Sequence, residues 1–151
     1  MVDSKSITVN RKAYHDYLIL ESLEAGIVLT GTEIKSIRAG QVNIRDAYAK
    51  PEGGELWLVN AHIAAYQAGS RYNHEPNRPS KLLLHRRQID ELAGMVTQKG
   101  LTLVPLKLYI KRGTAKLELG VARGKRLHDK REAMARRETE REIGRALKRR
   151  G

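Results

Sequence analysis

"LTLVPLKLYIKRGTAKLELGVAR" spans residues 101–123 and decides the fold. Two apolar-rich runs flank Arg112-Gly113, a pair suited to the turn of a β-hairpin. In the first run Leu101, Leu103, Pro105 and Lys107 share one side, and Leu106, Leu108 and Ile110 share the other. The apolar face therefore switches near Pro105, where a bulge is expected.

Working outward, "YLILESLEAGIVLTG" reads as two apolar runs about Glu24-Ala25-Gly26, a second hairpin. "TEIKSIRAG" predicts a short helix: Thr32 can cap it, Ile34 and Ile37 sit three apart, and Gly40 stops it. "VNIRDAYAK" alternates with period two, "PEGGE" is a turn, and "LWLVNAHIAAY" is another strand. Residues 67–80 are rich in Gly, Asn, Pro and Ser and predict a loop. "RRQIDELAGMVTQKG" puts Ile89, Leu92 and Val96 on one helical face and ends at Gly100. Together these predict a mainly β fold with short α-helices: an OB-like antiparallel β-barrel of about six strands, plus a basic C-terminal tail. Small barrels of this kind commonly bind nucleic acids on an outer face.

Charge points the same way. The 151 residues carry a formal +12. Residues 123–151 hold 12 Lys/Arg against 5 Asp/Glu, a net +7, which is more than half of the excess. The expected division is therefore a body, 1–123, and a basic tail, 124–151. A one-signed excess of this size calls for a polyanionic partner, with nucleic acid ahead of an acidic membrane surface. No cysteine is present, which excludes disulfides, thiolate chemistry and Cys-based zinc sites. The N-terminus has no apolar signal-like segment and no run of about 18 apolar residues occurs, so a cytoplasmic address is expected.

Catalytic signatures do not assemble. His15, His62, His74, His85 and His128 fall in different predicted elements without a His-x-x-x-His pair, and phosphate-cradling or nucleophile-elbow motifs are missing. Asp90-Glu91 are adjacent on a helix and do not face each other. No enzyme, metal or cofactor is expected.

Binding features are better defined. In "SKLLLHRR" a strand would turn Leu83 opposite to Leu82 and Leu84, so that Leu83 and His85 reach outward. The alternative is burial of all three leucines. "YIKRGTAKLE" places Lys111, Arg112 and Lys116 around a hairpin tip, which serves equally as a solvated turn. "NRKAYHDY" combines Arg11 and Lys12 with two tyrosines, suiting phosphate contact and stacking, or a capping helix packed on the body. The tail has high helix propensity but no continuous apolar stripe, and its i,i+4 pairs Glu138–Glu142 and Arg137–Arg141 are like-charged. It predicts an arm that is disordered when free and becomes helical against a polyanion.

"NRKAYHDY", "EAGIVLTGTEIKSIRAG", "NHEPNRPSKLLLH" and "KGLTLVPLKLYIKRGTAKLELGVARGKRLHDKR" together resemble the SsrA-binding proteins, small protein B, of bacteria. The resemblance runs from about Asn10 to Arg131. It implies a barrel that binds the tRNA-like domain of transfer-messenger RNA near its elbow and escorts it to stalled ribosomes. It also implies a tail that enters the empty messenger channel at the decoding centre of the small-subunit rRNA and becomes helical there. Elongation factor Tu and alanyl-tRNA synthetase would be partners only through the RNA. The family's acidic RNA contact falls on Glu24, its contacts after the loop on Leu83 and His85, and its basic hairpin contact on Lys116. The tail motif falls on Gly124, Lys125, His128, Asp129, Lys130 and Arg131, and further along on Leu147. Ser80 stands where a basic residue is often found. Without these blocks, barrel and charge would equally suit a general rRNA-binding ribosomal or translation factor.

Overall fold

The computed structural model describes residues 4–66 and 73–125. Strand β1 (Ser4–Val9) leads into helix α1 (Arg11–Asp16), strand β2 (Tyr17–Ile27) and helix α2 (Gly31–Arg38). Then come β3 (Val42–Asn43), β4 (Tyr48–Glu52), β5 (Glu55–Val59), β6 (His62–Ile63) and β7 (Ser80–Leu83). Helix α3 (Arg86–Thr97) and the long hairpin β8 (Thr102–Lys111) and β9 (Thr114–Gly124) follow. Six antiparallel strands close on themselves in the order β8, β4, β5, β7, β2, β9, with β9 returning to β8, while β1 is added outside β8. The seams are unequal: β2–β9 and β8–β9 each pair nine positions, whereas β4 meets β8 in register at Ala49↔Leu103 alone.

The hairpin behaves as its sequence predicts. Arg112 and Gly113 take φ of 52° and 78°, the two left-handed residues of a tight turn whose twist matches the strands. The β8–β9 register shifts between Pro105 and Lys107. That shift lets Leu103 and Leu108 enter the same main core, while Val104 and Leu106 face a second, smaller cluster with Ala13 and Ala122 under α1. The base of the hairpin is thus buried on both faces. Each fully buried leucine here contributes roughly 1.5–3 kcal/mol.

Other expectations need correction. Glu24-Ala25-Gly26 is not a turn: β2 runs through it without interruption, pairing Glu24↔Glu118 and Gly26↔Lys116. Gly26 is there for closeness, since a Cβ would meet Leu83 Cβ at 3.1 Å where β7 crosses β2. The cap of α2 is Thr30 rather than Thr32; Thr30 and Glu33 form a reciprocal capping box. "VNIRDAYAK" splits into β3 and β4, and "LWLVNAHIAAY" into β5 and β6, the latter break falling at Asn60, whose φ is 62°. β3 and β6 pair with each other in a separate two-stranded sheet. β7 begins at Ser80, inside the predicted loop, with the Ser80 side chain buried and pairing opposite Leu58. A phosphate contact from this inward position is therefore not available to Ser80.

β1 had no sequence signal. It pairs with β8, and the residue that follows it, Asn10, is buried between β1 and α1. Asn10 Oδ1 accepts from the Ala13 N–H at 3.1 Å and Nδ2 donates to the Ile44 and Pro105 carbonyls at 3.0 and 2.9 Å. One side chain thus caps α1 and ties it to two distant segments.

Candidate nucleic-acid interface

Four elements converge on a groove of about 410 Å³. β2 supplies Glu24 and Gly26, β7 supplies Leu83, β9 supplies Lys116, and the entry to α3 supplies Leu84, His85 and Gln88. Strand alternation decides the leucines: Leu82 is fully buried, Leu84 packs partly against the core, and Leu83 is 50% exposed. Outward display of Leu83, rather than burial of all three, is the outcome. Gln88 Oε1 accepts from the His85 N–H at 3.1 Å and fixes the start of α3 beside the groove.

Glu24 is held on the outer face. The Tyr109 hydroxyl donates to Glu24 Oε2, and Lys111 Nζ lies 3.5 Å from the same oxygen. The Tyr109 bond, and secondarily the positive charge of Lys111, keep the Glu24 carboxyl below the usual carboxylate range. Tyr109 is pushed up in turn, first by burial and then by donating to Glu24. The site therefore pairs a carboxylate, a lysine, an imidazole and an exposed leucine. A carboxylate repels phosphate but accepts from base N–H and ribose hydroxyl groups, while lysine supplies salt-dependent attraction to the backbone.

The segment leading into β7 is anchored by a buried ion pair. Glu33 is 1% exposed and accepts from Arg78 Nη2 at 2.5 Å and from the Thr30 N–H at 2.8 Å. Arg78 Nη2 also approaches the Val28 carbonyl at 3.4 Å, joining the exit of β2 to α2. Burial pushes the Glu33 carboxyl up, but the Arg78 and Thr30 bonds outweigh it and hold the group below its ordinary value.

Arg11 and Lys12 lie elsewhere. Seven positions of β2 separate Tyr17, which pairs with Gly124, from Glu24, which pairs with Glu118. At about 3.3 Å per residue, this puts α1 and the start of the tail roughly 23 Å from the groove. Arg11 and Lys12 line a second concavity of about 610 Å³ with His15 and Arg45. Lys12 Nζ is engaged by Asp46 at 2.5 Å, and Lys125 Nζ reaches the Tyr14 carbonyl at 3.5 Å. The structure thus gathers Glu24, Leu83, His85 and Lys116, and sets Arg11, Lys12, Gly124 and Lys125 at the far end. His128, Asp129, Lys130, Arg131 and Leu147 lie outside the described residues.

Tyr109 was missed in the sequence although its signal was present. A two-residue turn at Arg112-Gly113 pairs Lys111 with Thr114 and, counting back, Tyr109 with Lys116. Among the described residues no group of three or more His, Asp or Glu converges as a metal site, and no helix is long and apolar enough to cross a membrane.

The chain is similar in sequence and in fold to known proteins. The family model described as SmpB protein matches residues 7–149. The SsrA-binding protein of Carboxydothermus hydrogenoformans is 62% identical, over 95% of this chain and 97% of its own length. That of Geobacillus kaustophilus is 60% identical over 98% and 96%, and that of Roseiflexus castenholzii 62% over 93% and 90%. A solved structure described as "tmRNA-SmpB: a journey to the center of the bacterial ribosome" superposes with a TM-score of 0.66 at 56% identity, covering 78% of this chain and 83% of that one. With a match that spans both the strand ring and the basic C-terminal stretch, the chain belongs to the SmpB family of SsrA-binding proteins.

Proposed function

We propose that this protein binds the tRNA-like domain of transfer-messenger RNA and escorts it to stalled ribosomes for trans-translation. The observation that carries the reading is the convergence of Glu24, Leu83, His85 and Lys116 in one groove from strands β2, β7 and β9 and the α3 entry. The SsrA-binding relatives and the tmRNA–SmpB likeness support this RNA, and the ribosome, as partners. They also weigh against the general rRNA-binding alternative.

In this reading residues 1–123 hold the RNA. Lys116 neutralises phosphate, Glu24 selects donors on bases or riboses, and Leu83 and His85 cover and stack on an exposed nucleoside. Residues 124–151 are the ribosome-probing arm, with Gly124, Lys125, His128, Asp129, Lys130, Arg131 and Leu147 read as its contacts in the empty messenger channel. The protein works by binding rather than catalysis, in the cytoplasm, and meets elongation factor Tu and alanyl-tRNA synthetase only through the RNA.

A gel shift combined with a reconstituted tagging assay tests the division. Glu24→Ala in the full chain lowers affinity for the tRNA-like transcript by about tenfold or more, the scale of a lost hydrogen bond to a charged group. Replacing Asp129, Lys130 and Arg131 together by Ala spares that affinity and stops tagging. Wild-type binding by Glu24→Ala would overturn the groove assignment.

A further inference from the structure

We propose that Tyr109 is a positioning residue of this groove: its hydroxyl holds Glu24 by one carboxylate oxygen and leaves the other to accept from an RNA base N–H or ribose 2′-OH. The proposal rests on the reading of the groove as an RNA site.

Three observations carry it. First, both contacts to Glu24 from β8 fall on one atom: Tyr109 donates to Oε2, and Lys111 Nζ also approaches Oε2. A carboxylate held at one oxygen keeps acceptor capacity at the other.

Second, Tyr109 is fixed where Glu24 is not. It sits in the middle of three paired strands, opposite Ser6 on β1 and Lys116 on β9. Its ring has two torsions to order, whereas the Glu24 side chain is 40% exposed and longer in rotamer choice. A hydroxyl on a rigid arm therefore restricts the more mobile partner before the ligand arrives. The saving in ordering such a side chain corresponds to roughly three- to tenfold in affinity.

Third, the geometry joins the two functional charges. Lys116 pairs with Tyr109 on one side and with Gly26 on the other. Glu24 sits two positions along β2 from Gly26 and is therefore displayed on the same face of the sheet. Strand β9 runs between β8 and β2, so the Tyr109 hydroxyl reaches Glu24 across the strand that carries Lys116.

The test is a double-mutant cycle in the full-length protein, with a transcript of the tRNA-like domain as the probe at fixed salt. Tyr109→Phe keeps the ring and removes the hydroxyl; circular dichroism and melting temperature establish that each variant is folded. The expected result is a three- to tenfold loss for Tyr109→Phe in the wild-type background and less than a twofold change in the Glu24→Ala background. Equal losses in both backgrounds would show that Tyr109 acts independently of Glu24 and overturn the proposal. Full affinity of Tyr109→Phe beside weakened Glu24→Ala would overturn it too, while leaving the groove assignment standing. Full affinity of Glu24→Ala and Tyr109→Phe alike would instead remove the groove itself, and the proposal with it.

Discussion

At one end of the β2–β9 ladder stands Lys116, which among the described residues makes no ion pair. At the other end Lys12 is already engaged by Asp46. Both are surface lysines beside a concavity, and a count of charges treats them alike. The difference lies in what surrounds them. Lys116 shares its groove with an exposed leucine and a carboxylate committed to a tyrosine. Lys12 sits on a six-residue helix capped by a buried asparagine, and serves first to bind that helix to the turn after β3. Net charge brings an RNA near; the partners of each charge decide which end holds it.

The largest effect that sharpens this contrast is on the frame of the groove. Arg78→Ala leaves Glu33 buried without its guanidinium, at a cost of about 3 kcal/mol. A melting-temperature loss of more than 5 °C, accompanied by weaker RNA binding, is the expected result. The pH dependence follows from the same pair. Because Glu33 titrates lower in the folded than in the unfolded chain, its contribution is present above the unfolded carboxylate range and is lost as pH falls through the folded value. Glu33→Gln therefore flattens the acid limb of the stability curve, read by thermal melts between pH 3 and 7, a span set by carboxylate titration, roughly 4 unperturbed.

Next comes the opposite end. Asn10→Ala removes a helix cap and one donor from each of the Ile44 and Pro105 carbonyls, of which Ile44 keeps the Ala47 N–H, costing about 2 kcal/mol. Below its melting temperature it should bind the tRNA-like transcript as wild type does; weakened binding would break the separation of the two ends. Lys12→Ala tests the charges directly. Its expected loss is under threefold, against about tenfold for Lys116→Ala, with the salt slope reduced only by the latter. The smallest effect is at the hairpin tip. Arg112 occupies a left-handed position that favours Asn or Gly, so Arg112→Asn raises stability by about 0.5–1 kcal/mol without changing groove affinity.

Local signals explain what the sequence revealed. The β8–β9 hairpin, the Pro105 bulge and the apolar face of α3 follow from spacing within a few residues. Outward Leu83 follows from alternation. Gly26 misled because a glycine between apolar runs reads as a turn, and the strand that needs its missing side chain, at Leu83, lies far along the chain. Asn10 was silent for the same reason: its partners are Ile44 and Pro105, 34 and 95 residues away. Glu24 had no residue-level signal at all and came from the family resemblance, since a lone acidic residue on a basic protein looks like ordinary surface. Tyr109 could have been found by counting pairs back from Arg112-Gly113.

The β2–β9 ladder, whose register shifts once between Ile19 and Glu21, also makes the molecule a ruler. Groove and tail root are separated by one strand length, and no hinge interrupts the described backbone between them. Seven positions of β2 run beside six of β9, the extra residue being taken up as a bulge between Ile19 and Glu21, so a single added residue can be absorbed without turning Glu24 and Lys116 toward the core. The distance between a bound RNA and the point where the tail departs is therefore set by a count of strand residues and not by a flexible joint.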